Sequence, residues 1–442
     1  MNDLTKGSPA KLILLFTVPI LIGNLLQLTY SIADTRIVGS FLGESALAAV
    51  GATSIINTLI IGFLNGASNG FAITTAQKFG AGDEDGVRHS FAVALVLGLL
   101  ISVLITAGGM IFIQPILGFL NVPAELFTTA KQYIIIIIAG TIITMFYDIL
   151  MAIMRGIGDS RTPLYFLTLS VGLNIFGDLF LIGVMHTGVW GAAAATVAAQ
   201  AIALVICALV FYRKFPAMHL VREDFKQMNL SMAWNMLTAG FSMGMMSSLI
   251  SIGSLVLQTA INQLGSDYII AQTAARKLTE VLMLPFVVFG ITLTTYSGQN
   301  YGAHRYDRIR QGMKVGLIYT VSWCAVVLLV TYTICPYILR MITGDINPQI
   351  IDYADQYLRI DTILYFLVAI IFVLRHTLQG IGDKITPLIS SGIEMGGKVI
   401  LAMTLVPKLG YFGVILTEPI VWIVMIIPLI VKMAGHPVVK ER

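Results

Sequence analysis

The chain has 442 residues, of which 57% are hydrophobic and only 11% charged, with a mean hydropathy of +0.87. A water-soluble domain carries about 25% charged residues, so the composition excludes one and points to a protein embedded in lipid. The formal net charge of +4 is small. No basic stretch is interleaved with aromatics, so no nucleic-acid partner is expected.

Hydrocarbon admits only helices or a closed barrel, and the long apolar stretches do not alternate, so they read as helices. Twelve spans are predicted, near residues 12–35, 45–75, 90–113, 128–152, 164–185, 190–212, 232–262, 269–297, 312–335, 353–378, 387–406 and 412–433. The first span carries Asp34 near its far end and Pro19 about four turns earlier. A charge inside a bilayer costs about 2.5–3.5 kcal/mol on insertion scales, and a proline removes a backbone hydrogen bond and bends the helix. The second span holds Gly66 and Gly70, whose spacing suits close helix approach. The fifth places Asn174 and Asp178 four residues apart, on one helical face, and the sixth does the same with Thr196 and Gln200. Met243, Met245 and Met246 in the seventh read as packing or lipid-facing residues. The eighth carries Glu280, the eleventh Glu394 and Lys398, and the twelfth Glu418, whereas Asp148 and Asp361 read as lying near helix ends.

Lys6 and Lys11 precede a run too long for a signal peptide, and no small-residue cleavage site follows. The cysteines, Cys207, Cys324 and Cys335, are odd in number and lack metal spacing, so they read as packing residues. The histidines do not cluster, no glycine-rich phosphate loop appears, and no nucleophile stands with a base on a loop. An enzyme is therefore not expected.

Basic residues sort the loops. Lys6, Lys11, Lys78, Arg88, Arg155, Arg161, Arg213, Lys214, Arg222, Lys226, Arg305, Arg308, Arg310 and Lys384 fall on one side, against Arg36, Lys131, Arg340 and Lys408 on the other. Both termini are expected in the cytoplasm, with the chain in the inner (plasma) membrane. The sequence also repeats. Gln77-Lys78-Phe79-Gly80-Ala81 recurs as Gln299-Asn300-Tyr301-Gly302-Ala303, 222 residues on. The turn Gly156-Ile157-Gly158-Asp159-Ser160-Arg161-Thr162-Pro163 recurs as Gly380-Ile381-Gly382-Asp383-Lys384-Ile385-Thr386-Pro387, 224 residues on. Two halves of six spans each share one orientation, the pattern of parallel repeats in transporters. The expected fold is an all-α membrane protein of twelve transmembrane helices, in two six-helix lobes related by a pseudo-two-fold axis along the membrane normal. Residues 1–212 would form the first lobe, 213–230 a cytoplasmic linker and 231–442 the second lobe.

Asp34, Asn174, Asp178 and Thr196 are all oxygen donors, the ligand type a hard cation such as sodium needs. Two carboxyls in low dielectric could equally hold a proton, or let proton and sodium compete. In the second half the offset puts Lys398 at the place of Asn174, Glu418 at that of Thr196 and Val256 at that of Asp34. Lys398 with Glu394 or Glu418 reads as a buried ion pair. Glu280 has two readings: paired with Arg276 or Lys277, or facing a central cavity and attracting cationic substrate.

Asp34 within IADTRIVG, the paired QKFGAGD and GQNYGA segments, the paired GIGD-x-x-TP turns and LNIFGD together resemble the multidrug and toxic compound extrusion (MATE) family, from Pro9 to about Pro428. The resemblance implies a secondary antiporter with two lobes in a V, exporting organic, often cationic, compounds in exchange for sodium or protons by alternating access. It implies cation or proton coupling through Asp34, Asn174, Asp178 and Thr196, with sodium as their metal if the exchange is sodium-coupled, and helix bending at Pro19. Glu280, Lys398, Glu394 and Glu418 remain a polar site for substrate or for the second lobe. No resident cofactor is implied. The expected partners are small organic substrates and the lipid bilayer, with the protein as a monomer. A lipid-linked oligosaccharide flippase of the wider superfamily is the alternative, disfavoured by the span count and the acid cluster of the first lobe.

Overall fold

The structure is a computed structural model that describes residues 3–226, 228–344 and 347–440; the chain ends Met1 and Arg442 lie outside these residues. Among the described residues all regular structure is helical. Among the described residues, nine helices are long and apolar enough to cross a membrane, or ten when one bent pair counts as a single span.

The first half begins with α1 (Pro9–Gly80), which is two spans in one stretch. The helical path is interrupted only at Gly43, where φ is 83°, a region that glycine enters without the Cβ clash other residues meet. The predicted break between spans one and two falls there. Next come α2 (Glu84–Phe119), then α3 (Ala124–Ala139) and α4 (Thr141–Gly156), which together make the fourth span. The fifth span is α5 (Arg161–Asp178), continued directly by a π-helical turn, Leu179–Val184. Then follow α6 (Val189–Lys214) and the short α7 (Arg222–Lys226).

The second half runs through α8 (Leu230–Asn262), α9 (Ser266–Gly302), α10 (Tyr306–Thr333) and α11 (Cys335–Thr343). Its fourth span is the pair α12 (Pro348–Ile363) and α13 (Tyr365–Gly380), bent by 52°. Then come α14 (Ile385–Thr404), α15 (Val406–Leu409), α16 (Tyr411–Gly435) and α17 (Pro437–Lys440). α14 is not among the strongly apolar helices because Glu394 and Lys398 interrupt it. Counting α1 twice and adding the bent pair and α14 brings the helices to the twelve spans read from the sequence.

The chain divides into two compact units. One comprises Val18–Gly244, and the other Leu4–Thr17 with the residues from Met245 on. The exchange is reciprocal, since the first helix of each half begins in the unit built by the other half. In the first unit, Gly66 and Gly70 of α1 face Gly240 and Gly244 of α8 so closely that a Cβ at Gly70 would lie 2.6 Å from the Ala239 carbonyl oxygen. This is the small-residue crossing that lets membrane helices approach. Residues 213–226 and 228–230 also lie in this unit, and Phe215 and Met218 join its core. In the second unit the Thr17 and Thr292 hydroxyls share a buried hydrogen bond of 2.9 Å, just before Pro19.

The paired segments form turns, as read from the sequence, and the structure adds how each is held. Asp159 accepts from the backbone N–H of Arg161 and Thr162 and from the Thr162 hydroxyl, and Asp383 does the same with Ile385 and Thr386. Each carboxylate caps the helix that follows, after a glycine of positive φ, Gly158 or Gly382. All three cysteines are buried and free.

Candidate functional site

The first unit brings together Asp34, Asn174, Asp178 and Thr196 from three helices. Helix periodicity puts Asn174 and Asp178 on one face of α5, where both are buried, with Asp178 wholly so. Gly177 permits the approach to α6, because a Cβ there would already lie 3.0 Å from the Ala195 methyl. Thr196 follows Ala195 and meets Asn174. With the Asn174 amide oriented to satisfy its neighbours, its nitrogen donates to the Tyr30 hydroxyl at 2.9 Å and to Asp178 Oδ2 at 3.1 Å, and its oxygen accepts from the Thr196 hydroxyl at 3.0 Å. The Asp34 carboxyl lies within hydrogen-bonding reach of Asp178. One oxygen of each, Asp34 Oδ1 and Asp178 Oδ1, is buried without a partner.

Two residues of this cluster were not picked out in the sequence. Tyr30 stands one turn before Asp34 and also reaches the Thr196 hydroxyl at 3.4 Å. Tyr133 of α3 is buried beside both carboxyls. The signal for Tyr30 was its i, i+4 spacing to Asp34; Tyr133 had none. Gln200, on the Thr196 face, turns elsewhere and accepts from the Thr144 hydroxyl. Asp178 is also the last residue before the π-helical turn, a local widening that recurs at functional sites.

The arrangement has consistent chemistry. Its lining groups offer carboxyl, carboxamide, hydroxyl and phenol oxygens. Among the described residues no lysine, arginine or histidine pairs with Asp34 or Asp178. Such a cluster can accept one small hard cation, or one proton shared between the carboxyls.

The second unit answers with a closed network. Lys398 Nζ lies 3.1 Å from Glu394 Oε1 and 3.0 Å from Glu418 Oε1, and Arg375 approaches Glu394 Oε2 at 3.5 Å. Arg375 also donates to the Ser390 hydroxyl. Lys398, Glu394 and Arg375 are all buried. Lys398 therefore binds both glutamates rather than one, and Arg375 is a member the sequence reading lacked. Asp361, read as near a helix end, is buried beside Tyr365 and Glu418, because the helix that ends there resumes at once as α13 within one bent span. Asp148, read the same way, stands in the middle of α4. Glu280 is exposed and 3.8 Å from Lys277; it joins neither cluster. His376 is buried against Thr294. No group of three or more His, Cys, Asp or Glu with metal-site geometry occurs among the described residues.

The comparisons with known proteins agree with this architecture. The MatE family model matches residues 19–180 and again 242–404, once in each half. The chain is 25% identical over 389 residues to the probable multidrug resistance protein YpnP of Bacillus subtilis, covering 88% of this chain and 86% of that one. It is 26% identical over 380 residues to the probable multidrug resistance protein NorM of Thermotoga maritima, covering 84% and 80%. Among solved structures, a MATE crystal structure in the bent conformation superposes with a TM-score of 0.91 at 23% identity, covering 99% of this chain and 98% of that one.

Proposed function

Since the chain belongs to the multidrug and toxic compound extrusion family, a family of efflux transporters, we propose that it is an antiporter that exports organic, chiefly cationic compounds in exchange for sodium ions or protons. The observation that carries this reading is the uncompensated pair Asp34 and Asp178, held with Asn174, Thr196 and Tyr30 inside one unit. A negative charge kept at membrane depth without a fixed partner suits capture and release of a mobile one. The proposal places the protein in the plasma membrane with both termini cytoplasmic, as a single copy of the chain.

In the proposed cycle the cation enters from outside and neutralises the carboxyl pair. Asp34 shares α1 with Pro19, whose missing N–H leaves the Leu15 carbonyl without its helical donor. Neutralising the acid relieves the need to keep that segment hydrated, so the helix can change its bend at the proline. Cation and substrate must prefer opposite states for the exchange to be coupled.

The test is dye efflux in proteoliposomes under separately imposed sodium and proton gradients. The wild-type protein should respond to at least one of them. Asp34→Asn should lower gradient-driven efflux by about 10-fold or more, while dye binding in detergent persists. Full efflux by Asp34→Asn would remove the coupling role.

A further inference from the structure

The turn between α4 and α5 borders a cleft that the proposed exchange cycle does not use. Its cavity has a volume of about 280 Å³ and is lined by residues 158–162, Tyr165 and Lys214. A single water needs about 10–15 Å³, so the space admits a larger polar group. The helical stretches on either side of the turn are long and apolar enough to cross a membrane, so the cleft lies at the membrane surface.

Its charges are unevenly matched. Asp159 is fully engaged, since its oxygens accept from the Arg161 and Thr162 N–H groups, the Thr162 hydroxyl and Lys214 Nζ. Lys214 also donates to the Thr162 hydroxyl at 2.6 Å, which leaves one of its three ammonium N–H groups. A guanidinium offers five N–H donors, and that of Arg161 meets no carboxylate and makes no hydrogen bond among the described residues. Ser160 is 4% exposed and lines the cleft, and its hydroxyl makes no hydrogen bond to another described residue. A buried hydroxyl without a partner costs stability, and an oxygen held in the cleft would supply one.

The turn itself does not need these groups. Asp159, Thr162 and backbone N–H groups make the cap. The twin turn makes the same bonds with Ile385 and Ile389 at the places of Arg161 and Tyr165, and with Lys384 at that of Ser160. The surroundings point to an amphiphile more than to a free anion. From the cleft α6 runs back into the membrane, and Val205, Leu209 and Tyr212 form an exposed apolar stripe at helical spacing that ends two residues short of Lys214. Tyr165, 68% exposed, stands one turn into α5, where an amphipathic ring suits the headgroup level.

We propose that this cleft binds the phosphate of an anionic membrane phospholipid. Arg161 takes two phosphate oxygens through its fork of donors, Ser160 and the remaining Lys214 N–H reinforce them, and the acyl chains lie along the α6 stripe. In the proposed orientation the cleft faces the cytoplasmic leaflet, whose anionic lipids attract basic segments. The site goes beyond the exporter reading and stands without it.

The test is native mass spectrometry of the purified full chain in detergent, where no membrane surface potential adds to the binding, with phosphatidylglycerol or phosphatidylcholine added at equal concentration. Wild-type protein should hold phosphatidylglycerol about fivefold more tightly, because the choline cation meets Arg161 and Lys214. Arg161→Gln should weaken phosphatidylglycerol about 10-fold and Ser160→Ala about threefold. Arg161→Lys keeps the charge without the fork and should fall between wild type and Arg161→Gln, so the series still reads binding if one variant fails to fold. Arg222→Gln removes the same charge outside the cleft and should stay within about twofold. Inorganic phosphate in large excess should not displace the lipid. Displacement by phosphate would make the occupant a free anion and overturn the lipid assignment. Equal binding of the two lipids by wild type, no effect of Arg161→Gln, or an equal effect of Arg222→Gln would each overturn the site.

Discussion

The two units place acids at membrane depth in opposite ways. In the first, Asp34 and Asp178 face neutral oxygen donors and, among the described residues, no base. In the second, Glu394 and Glu418 are clamped by Lys398, with Arg375 behind Glu394. The repeat brings these sites into register, since Lys398 stands where Asn174 does and Glu418 where Thr196 does. One scaffold therefore supports either an open site or a closed one, and the residue that decides is the base. A fixed ammonium occupies the place that a mobile cation would take, so the second unit holds its charges still, and the proposed exchange belongs to the first.

The largest expected effect breaks the closed side. Lys398→Met leaves the buried Glu394 and the partly buried Glu418 with half their counter-charge removed, and loss of one partner of a buried pair typically costs about 3–5 kcal/mol. Thermal unfolding of the purified protein should show a steep drop in midpoint. Lys398→Met combined with Glu418→Gln should recover part of it, because the surplus negative charge is gone. On the open side the expectation reverses: Asp178→Asn removes a carboxyl from an uncompensated pair and should leave the unfolding midpoint unchanged or raised, while coupled efflux falls. If Lys398→Met were neutral, or Asp178→Asn unfolded the protein, the contrast between open and closed sites would collapse.

A second contrast concerns packing. The first unit depends on the glycine crossing of α1 and α8, where Gly66 and Gly70 meet backbone, not side chains. By the repeat offset, Val288 and Thr292 stand at these places in the second unit, so the crossing there is built with side chains. Gly70→Leu should destabilise by about 1–3 kcal/mol or more through overpacking, read as a loss of monodisperse protein after extraction. Gly51→Ala, at a glycine with open space around it, should stay within about 0.5 kcal/mol.

How much of this could be read from the chain follows from helix geometry. Asn174 and Asp178 were legible because four residues make one turn, and the doubled turns at Asp159 and Asp383 were legible because glycine and aspartate favour a bend and the proline starts the next helix; that each carboxylate also caps that helix was not read. Tyr30 obeys the same rule toward Asp34, but a tyrosine in an apolar span carries no cost that singles it out. Arg375 reaches Glu394, and Asp361 reaches Glu418, only through contacts between helices, and intrahelical spacing says nothing of those. The break at α12 hides Asp361 further, since a helix end inside a bent span looks in sequence like a helix end at the membrane surface. Gly43 worked the other way: the gap between two apolar runs located the break although the helical path nearly continues through it.

The smallest expected effect compares the twin turns. Lys214 Nζ lies 2.6 Å from Asp159 Oδ2, whereas Lys432 is 3.7 Å from Asp383. Burial works to raise the Asp159 carboxyl, but the hydrogen bonds from Lys214 and Thr162 outweigh it and hold the group below its ordinary value. A carboxylate depressed in the folded state adds stability above its unfolded pKa, near 3.9, and that stability is lost as the pH falls through the lower folded value. Asp159→Asn should therefore cost about 1.5–3 kcal/mol at pH 7, the range for a hydrogen bond to a charged group. It should also flatten the decline of the unfolding midpoint as the pH falls below about 4. Asp383→Asn keeps most of the capping hydrogen bonds and loses a looser, half-exposed ion pair, so its cost at pH 7 should stay below about 1 kcal/mol. Equal costs at the two turns would mean that the cap, and not the lysine, carries the stabilisation.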